Sequence, residues 1–328
     1  MRDVASTAGV SLKTVSRVVN REPGVRADTA ARVEEAIRQL GFSRNDLARS
    51  LRAGRAGALG LVTEDVANPF YSAIARTVED EAHARGHILI TGSCEEDAER
   101  ERALVHRLLR RLVDALLIVP AGRDHRYLLA EMDAGTPVVF LDRPPGGIEA
   151  DTVLLDNVGG ARAAVEHLLR HGHSRIAFVG DPPALFTAAE RLAGYRQALV
   201  EAGAAVDEHV IRASSHDAVS AEAAVRGLLA LPDGSAPTAL FCANNRNTVG
   251  ALRGLRGVER DVALVGFDDF ELADMLQVPV TVVRHEPGEM GRIAAELAYR
   301  RLDGDAGPAE RLVIPCDVVP RGSGEVRA

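Results

Sequence analysis

The sequence predicts a small all-α head followed by a two-lobed α/β body built on two doubly wound parallel sheets. Three observations carry this. Residues 2–40 hold three short amphipathic helical patterns, the first two separated by a glycine. From residue 57 onward, short β-rich runs alternate with helical stretches of about 14 residues, and the alternation starts again after Asp156. The charge divides at the same place: residues 1–55 carry eleven Lys/Arg against six Asp/Glu, and the remainder carries 28 against 41.

The 328-residue length suits two or three domains of roughly 100–200 residues each. The expected divisions are a helix-turn-helix head over 1–44, a hinge helix and linker over 45–56, and a body over 57–328. Lobe 1 is expected from 57–155 plus 284–311, and lobe 2 from 156–283 plus 312–328. The net charge of −8 argues against nucleic acid for the whole chain, but a basic head on an acidic body suggests a polyanion partner for the head alone. The chain opens on charged residues without an apolar signal core, and no apolar run approaches the roughly 18 residues of a membrane span. A cytoplasmic location with no membrane partner is therefore expected. Cys94, Cys242 and Cys316 lie far apart without ligand spacing and are expected as buried thiols.

The first helix should run from Arg2 to Ala8, with Val4, Ala5 and Ala8 on one stripe. Gly9 allows a tight turn, Val10 can fill the angle between helices, and Ser11 is a good N-cap. In the second helix Val15, Val18 and Val19 face inward, while Leu12, Lys13, Ser16, Arg17 and Asn20 share the other face. Ala30, Val33, Ala36, Ile37 and Leu40 give a third helix that Gly41 stops. An exposed leucine beside the chain's single lysine is poor surface design but suits a major groove. There Lys13 and Arg17 can donate to guanine, Leu12 can touch a thymine methyl, and Ser16 and Asn20 can reach phosphates or bases. The full candidate set on this helix is Ser11, Leu12, Lys13, Thr14, Ser16, Arg17 and Asn20.

Residues 45–55 form a short amphipathic pattern capped by Asn45, with Leu47, Ala48 and Leu51 on one face and arginines around it. Helices under about 12 residues are marginal alone in water, so this segment is expected to fold on DNA. There Leu51 can wedge into the minor groove.

In the body, ALGLV, HILIT, ALLIVP, PVVFL and TVLLD are the strands of the first lobe. RIAFVG, ALFCA and VALVGF are those of the second. Ligands of such sheets bind beyond the C-terminal strand ends. Asp65, Asn68, Asp142, Asn244 and Asp268 follow strands there, Phe70 and Tyr71 come just after, and Arg191 opens the helix RLAGYRQAL. Carboxylates, amides and a guanidinium can serve vicinal hydroxyls, so the set suits a small hydroxyl-rich ligand such as a sugar. Taken singly, each strand-end Asp or Asn also reads as ordinary turn chemistry.

DVASTAGVSLKTVSRVVN followed by LARSLR resembles the lactose/galactose repressor family of bacterial transcription regulators. So do DVANPFYSAI, VVFLDR, DNVGGARAAVEHLLRHGHSRIAFVG, ERLAGYRQAL, LVGFDDFELADML and EMGRIAAELAYRRLDG, so the resemblance spans nearly the whole chain. It implies a periplasmic-binding-protein-like effector body. It also implies that Leu12, Lys13 and Arg17 read bases, that Asn45 and Ala48 lie at the DNA, and that Leu51 is the wedge. Asp142, Arg191, Asn244 and Asp268 become effector contacts, with Phe70 and Tyr71 on the wall of the first lobe. His216 stands near where the family often stacks an aromatic. The chain departs from the family pattern in four places: few residues precede Asp3, Arg44 replaces a proline, Asn245 follows Asn244 where an Asp is common, and His216 stands in place of the bulky aromatic.

The partners implied are double-stranded operator DNA with pseudo-palindromic symmetry, a small effector, and a second copy of the chain. No heptad leucine tail closes the C-terminus, so a homodimer is expected. No cofactor is implied. His167, His171 and His173 with Glu166 have part of a metal spacing, but Gly172 interrupts the helix between them. No G-x-G-x-x-G follows a strand and no G-K-[ST] loop occurs, and GSG at 322–324 lacks a strand–turn–helix context, so an enzyme is not expected. The alternatives are a two-lobed sugar carrier without regulatory DNA binding and a regulator that has lost its ligand.

Overall fold

The computed structural model describes residues 1–19, 22–41, 57–110, 113–215, 217–232 and 234–328. Asn20, Asn45, Ala48, Leu51 and His216 lie outside the described residues, as does the whole expected hinge segment 45–56. The chain divides into two compact units, Met1–Ala56 and Gly57–Ala328.

The first unit holds α1 (Arg2–Ala8), α2 (Leu12–Val19) and α3 (Ala27–Gln39). Gly9 ends α1 in left-handed geometry, φ +62°, which returns the Val10 N–H to Ala5 O at 3.0 Å. Ser11 Oγ accepts from Thr14 N–H at 3.1 Å and so starts α2. Val4, Ala5, Ala8, Val15, Val33 and Ala36 form the core, with Val10, Val18, Val19 and Ile37 packed around it. Leu40, expected on the inward stripe of the third helix, is exposed: α3 ends at Gln39, so Leu40 is the cap and has left the helical face.

The second unit contains two six-stranded sheets. Sheet one has the order β11-β5-β4-β3-β1-β2, from β1 (Ala58–Thr63), β2 (Ile88–Ser93), β3 (Ala115–Ile118), β4 (Val138–Leu141), β5 (Asp151–Leu155) and β11 (Arg311–Ile314). All its pairings are parallel. Sheet two has the order β12-β10-β9-β8-β6-β7, from β6 (Ile176–Gly180), β7 (Ile211–Ala213), β8 (Ala239–Cys242), β9 (Ala263–Phe267), β10 (Thr281–Arg284) and β12 (Asp317–Val319). Only β12 runs antiparallel. Central strands are buried on both faces, as parallel strands covered by helices must be.

The crossover helices are α4 (Pro69–Ala84), α5 (Ala98–Arg110), α6 (Leu129–Asp133), α7 (Asn157–Arg170), α8 (Phe186–Glu201), α9 (Ala218–Leu229), α10 (Asn245–Gly254) and α11 (Pro287–Leu302). The chain crosses between lobes three times, after β5, after β10 and between β11 and β12. The last crossing corrects the expected boundary at 311/312. Residues 311–314 belong to lobe 1, because Leu312 and Val313 pair with Val153 and Leu154 of β5 before the chain leaves. Arg191 does not open its helix; α8 begins at Phe186, and Arg191 lies in its second turn. Cys94 and Cys242 are buried as expected, but Cys316, at the last crossing, is only half-buried.

Candidate functional site

In the head, α2 presents two unlike faces. Val15 is fully buried, while Leu12 is 49% exposed and Lys13 and Arg17 project into solvent. Thr14 and Ser16 are half-buried. Ser11 Oγ lies 2.9 Å from Thr14 Oγ1, so both hydroxyls take part in the cap. Arg17 Nε stands 3.9 Å from Glu22, an exposed and weak pairing that leaves the guanidinium available to a stronger acceptor.

In the body, the C-terminal strand ends of the two sheets face one another across a cleft. Two carboxylates occupy equivalent places. Asp142 follows β4 with φ +65°, and Asp268 follows β9 with φ +68°. Each turns its backbone N–H to the neighbouring strand, Asp142 to Val153 O at 2.9 Å and Asp268 to Val283 O at 3.1 Å. Left-handed geometry at a non-glycine residue is strained, though Asp tolerates it best after Asn, and such strain gathers at functional sites. Both side chains line the cleft and are buried.

Asp268 is well partnered. Its Oδ1 lies 2.9 Å from His285 Nε2, and its Oδ2 lies 3.5 Å from Arg191 Nη1. Burial pushes its carboxyl up, but Arg191, His285 and the Asn245 N–H at the start of α10 outweigh this and hold it below the usual range. Arg191 is itself fixed by Asn157 Oδ1 at 2.7 Å, by Ala243 O at 2.6 Å and by the Phe267 ring, 3.8 Å below its guanidinium.

Asp142 differs. Tyr71 donates to its Oδ2 at 3.3 Å and Arg143 Nε stands 3.6 Å away, but Oδ1 is buried with no partner among the described residues. Burial pushes this carboxyl up, and the pull of Arg143 and Arg191 does not cancel it. Arg143 spends its two terminal nitrogens on Glu96, both at 2.6 Å. Phe70 meets Tyr71 at 4.9 Å and His285 at 5.4 Å, both edge to face, and closes one wall.

Lobe 2 is tied to lobe 1 across the cleft. Arg246 reaches Glu64 at 3.1 Å and Asp65 at 2.5 Å, Asn245 donates to Asn68 at 3.0 Å, and Arg123 donates to Ala184 O at 3.0 Å. The space left is about 50 Å³. That is far below the roughly 300–1,000 Å³ of an ordinary small-molecule pocket, so the cleft is tight for a sugar ring.

Phe70, Tyr71, Asp142, Arg191, Asn244 and Asp268 therefore all line one cleft. Asn244 has a structural duty as well: it caps α10 through Asn247 N–H at 2.7 Å and donates to Asp181 at 2.6 Å. Sequence reasoning missed Glu64, Glu96, Arg143, Asp181, Asn245 and Arg246 as lining residues. Four of these stand within two positions of a singled-out residue, so widening the search at each strand end would have found them. Two of the three histidines hold the C-terminal segment, and the third bonds within its own helix. His167 pairs with Glu325, His171 bonds His167 O, and His173 bonds Val326 O. Among the described residues no group of three or more metal-ligating side chains is assembled, and no helix is long and apolar enough to cross a membrane.

Residues 1–45 match the family model described as bacterial regulatory proteins, lacI family, and residues 165–324 match the periplasmic binding protein-like domain. The ribose operon repressor of Escherichia coli (strain K12) is 31% identical over 329 residues, covering 98% of this chain and 99% of that protein. Among solved structures, the Lac repressor dimer bound to operator and the anti-inducer ONPF aligns with a TM-score of 0.86 at 27% identity, covering 99% of this chain and 98% of that one. The complex of the transcriptional regulator CelR with cellobiose aligns with a TM-score of 0.72 at 32% identity, covering 98% of each chain.

Proposed function

Because the chain belongs to the lacI family of bacterial regulatory proteins, we propose that it is a DNA-binding transcription repressor, set by a sugar-like effector held between its lobes. The observation that carries the reading is the exposed Leu12, Lys13 and Arg17 face on a helix whose opposite side is sealed by Val15. Donors for guanine and an apolar group for a thymine methyl then stand together on one helix that can enter the major groove. Two protomers place two such helices on a pseudo-palindrome. Leu272, Met275, Leu276 and Val278, all exposed on the second lobe, supply apolar surface for that association.

For the effector, Asp142 and Asp268 accept from hydroxyls, Arg191 and Asn244 donate, and Phe70 and Tyr71 give the apolar wall. A neutral polyol fits best, since each guanidinium at the cleft already faces a carboxylate. A sugar needs more than 50 Å³, so it must part the lobes or displace Arg246 from Glu64 and Asp65. That requirement couples binding to lobe position. An effector shifts the regulator only as far as its affinity differs between the two lobe arrangements. Relatives supply the first probes, ribose and cellobiose. The role is recognition without turnover.

The test is selection of bound duplexes from a random DNA library with the full chain at low ionic strength. The selected duplex is then titrated with ribose, cellobiose and a wider panel of sugars. A palindromic consensus, and an affinity that falls steeply with salt and changes with one sugar, is the expected result. If no sequence is enriched, the reading fails.

A further inference from the structure

Far from the cleft, at the N-terminal end of β1, the body grips the residues at which the chain enters it. Asp114, just before β3, accepts at Oδ2 from the N–H of Gly57 at 2.6 Å and from that of Ala58 at 3.3 Å. Its own N–H donates to Ala58 O at 2.7 Å, and the Ile88 N–H donates to Gly57 O at 3.0 Å. All four backbone polar groups of the first two body residues are thus tied. A neighbouring strand could not do this alone. In register, β3 meets β1 only from Leu59, opposite Ala115, so the two N–H groups on that side lie beyond the ladder. A carboxylate takes the place of the missing strand, and charged acceptors hold N–H groups more strongly than carbonyls do.

The grip is buttressed. His87 Nε2 lies 3.3 Å from the same Asp114 oxygen, and both side chains are largely buried. His87 meets the edge of Tyr299 on α11 at 5.3 Å, and Arg85, at the end of α4, covers the same ring at 4.4 Å. Elements α4, β2, β3 and α11 therefore converge where β1 begins. The opposite end of β1 leads into Glu64 and Asp65, the pair that Arg246 holds from the second lobe. Six residues of strand, about 20 Å at roughly 3.3 Å each, connect the interlobe bridge to the point from which the head is tethered.

We propose that Asp114 is a positioning residue for operator binding: it fixes Gly57 and Ala58, where the chain from the head enters the body. The inference rests on the regulator reading above. Two heads on a pseudo-palindrome bind as a linked pair, and the second binding step depends on how small a volume its tether allows it to explore. Releasing Gly57 and Ala58 enlarges that volume without touching a DNA contact or the cleft.

The test uses the full chain and the palindromic duplex selected by the wild-type protein, so wild-type selection checks the regulator reading before any variant is compared. Asp114→Ala should lose about tenfold in affinity for that duplex, but less than about threefold for a scrambled duplex of equal length. Asp114→Asn keeps an oxygen acceptor and should return the ratio of the two affinities to near the wild-type value. Asp114→Glu keeps the charge but displaces it by one methylene. It should melt as cooperatively as the wild type and still lose discrimination severalfold, so it decides the matter even where the alanine variant folds poorly. A wild-type ratio in Asp114→Glu overturns the proposal. So does a loss in both variants that is equal for selected and scrambled DNA and tracks the unfolded fraction.

Discussion

Asp142→Asn should make the ligand-free protein more stable at neutral pH and deprive it of much of its effector response. The backbone gives no reason for a loss, because Asn accepts the left-handed φ of +65° at least as readily as Asp. The Tyr71 bond at 3.3 Å can pass to the amide oxygen. What disappears is a buried charge whose ionised form burial penalises. Burying a charged carboxylate costs more than burying a neutral amide, so the variant recovers part of that cost. The attraction of Arg143 Nε, at 3.6 Å, is given up in exchange. A net gain of about 1 kcal/mol remains, which for a body of this size raises the melting midpoint by about 2–4 °C.

The pH dependence follows from the raised carboxyl. Between the unfolded value of about 3.9 and the higher folded value, the native state binds more protons than the unfolded state, so wild-type stability falls as pH rises through that window. The advantage of the variant should therefore be near zero below about pH 3.9 and full once pH passes the folded value. Sugar reverses the ranking. At a hundred times its Kd, a ligand adds about 2.7 kcal/mol to the wild type, and the variant gains less because it has lost a charged acceptor. Thermal melts of both full-length proteins from pH 4 to 7, with and without the sugar that shifts the wild type, measure all of this. A lower midpoint for the variant at pH 7, or the same difference at every pH, refutes the reasoning.

Four further outcomes are expected. Lys13→Ala and Arg17→Ala should each cost about 1–3 kcal/mol at one base pair and relax the preference there; a uniform loss across duplex sequences in a binding titration would show contact with phosphate alone. Asp268→Asn should abolish effector response with operator affinity intact. It should also cost about 3–5 kcal/mol at neutral pH, because Arg191 and His285 lose their buried partner. The lowered folded pKa of Asp268 gives wild-type stability that is present above about pH 3.9 and lost as pH falls through the folded value, so the stability difference between the two proteins should shrink in acid denaturation curves. Arg246→Ala removes a half-exposed bridge that ligand entry must break, so sugar affinity measured by calorimetry should rise severalfold, within the ~1 kcal/mol typical of such pairs; unchanged affinity means the bridge does not oppose entry. Gly194→Ala should destabilise the body by about 1–3 kcal/mol, since its Cβ would meet Val158 O at 2.3 Å between α7 and α8; an unchanged melt refutes that packing.

Local chemistry made much of this molecule legible. The glycine turn, the Ser11 cap and the inward valines defined the head, because helix and turn preferences depend on residues a few positions apart. The central strands stood out as unbroken apolar runs, the mark of strands covered on both faces. Ile211–Ala213, Thr281–Arg284, Arg311–Ile314 and Asp317–Val319 did not stand out. Each is three or four residues long and lies at or next to a sheet edge; three are partly exposed along their length, and in Thr281–Arg284 the buried apolar run is only Val282 and Val283.

The sequence by itself determined where polar groups would stand at strand ends, hence Asp142, Asn244 and Asp268 as candidates, with Arg191 on a helix beside them. Only the tertiary structure decided how they divide the work. It left Asp142 with an open oxygen, satisfied Asp268, turned Asn244 into a cap, and set Arg246 against Glu64. The physical reason is distance along the chain. Arg246 and Glu64 are 182 residues apart and meet only because two sheets close on one another, while Arg191 and Asp268, 77 apart, meet through the packing of α8 on its own sheet; no local preference encodes either.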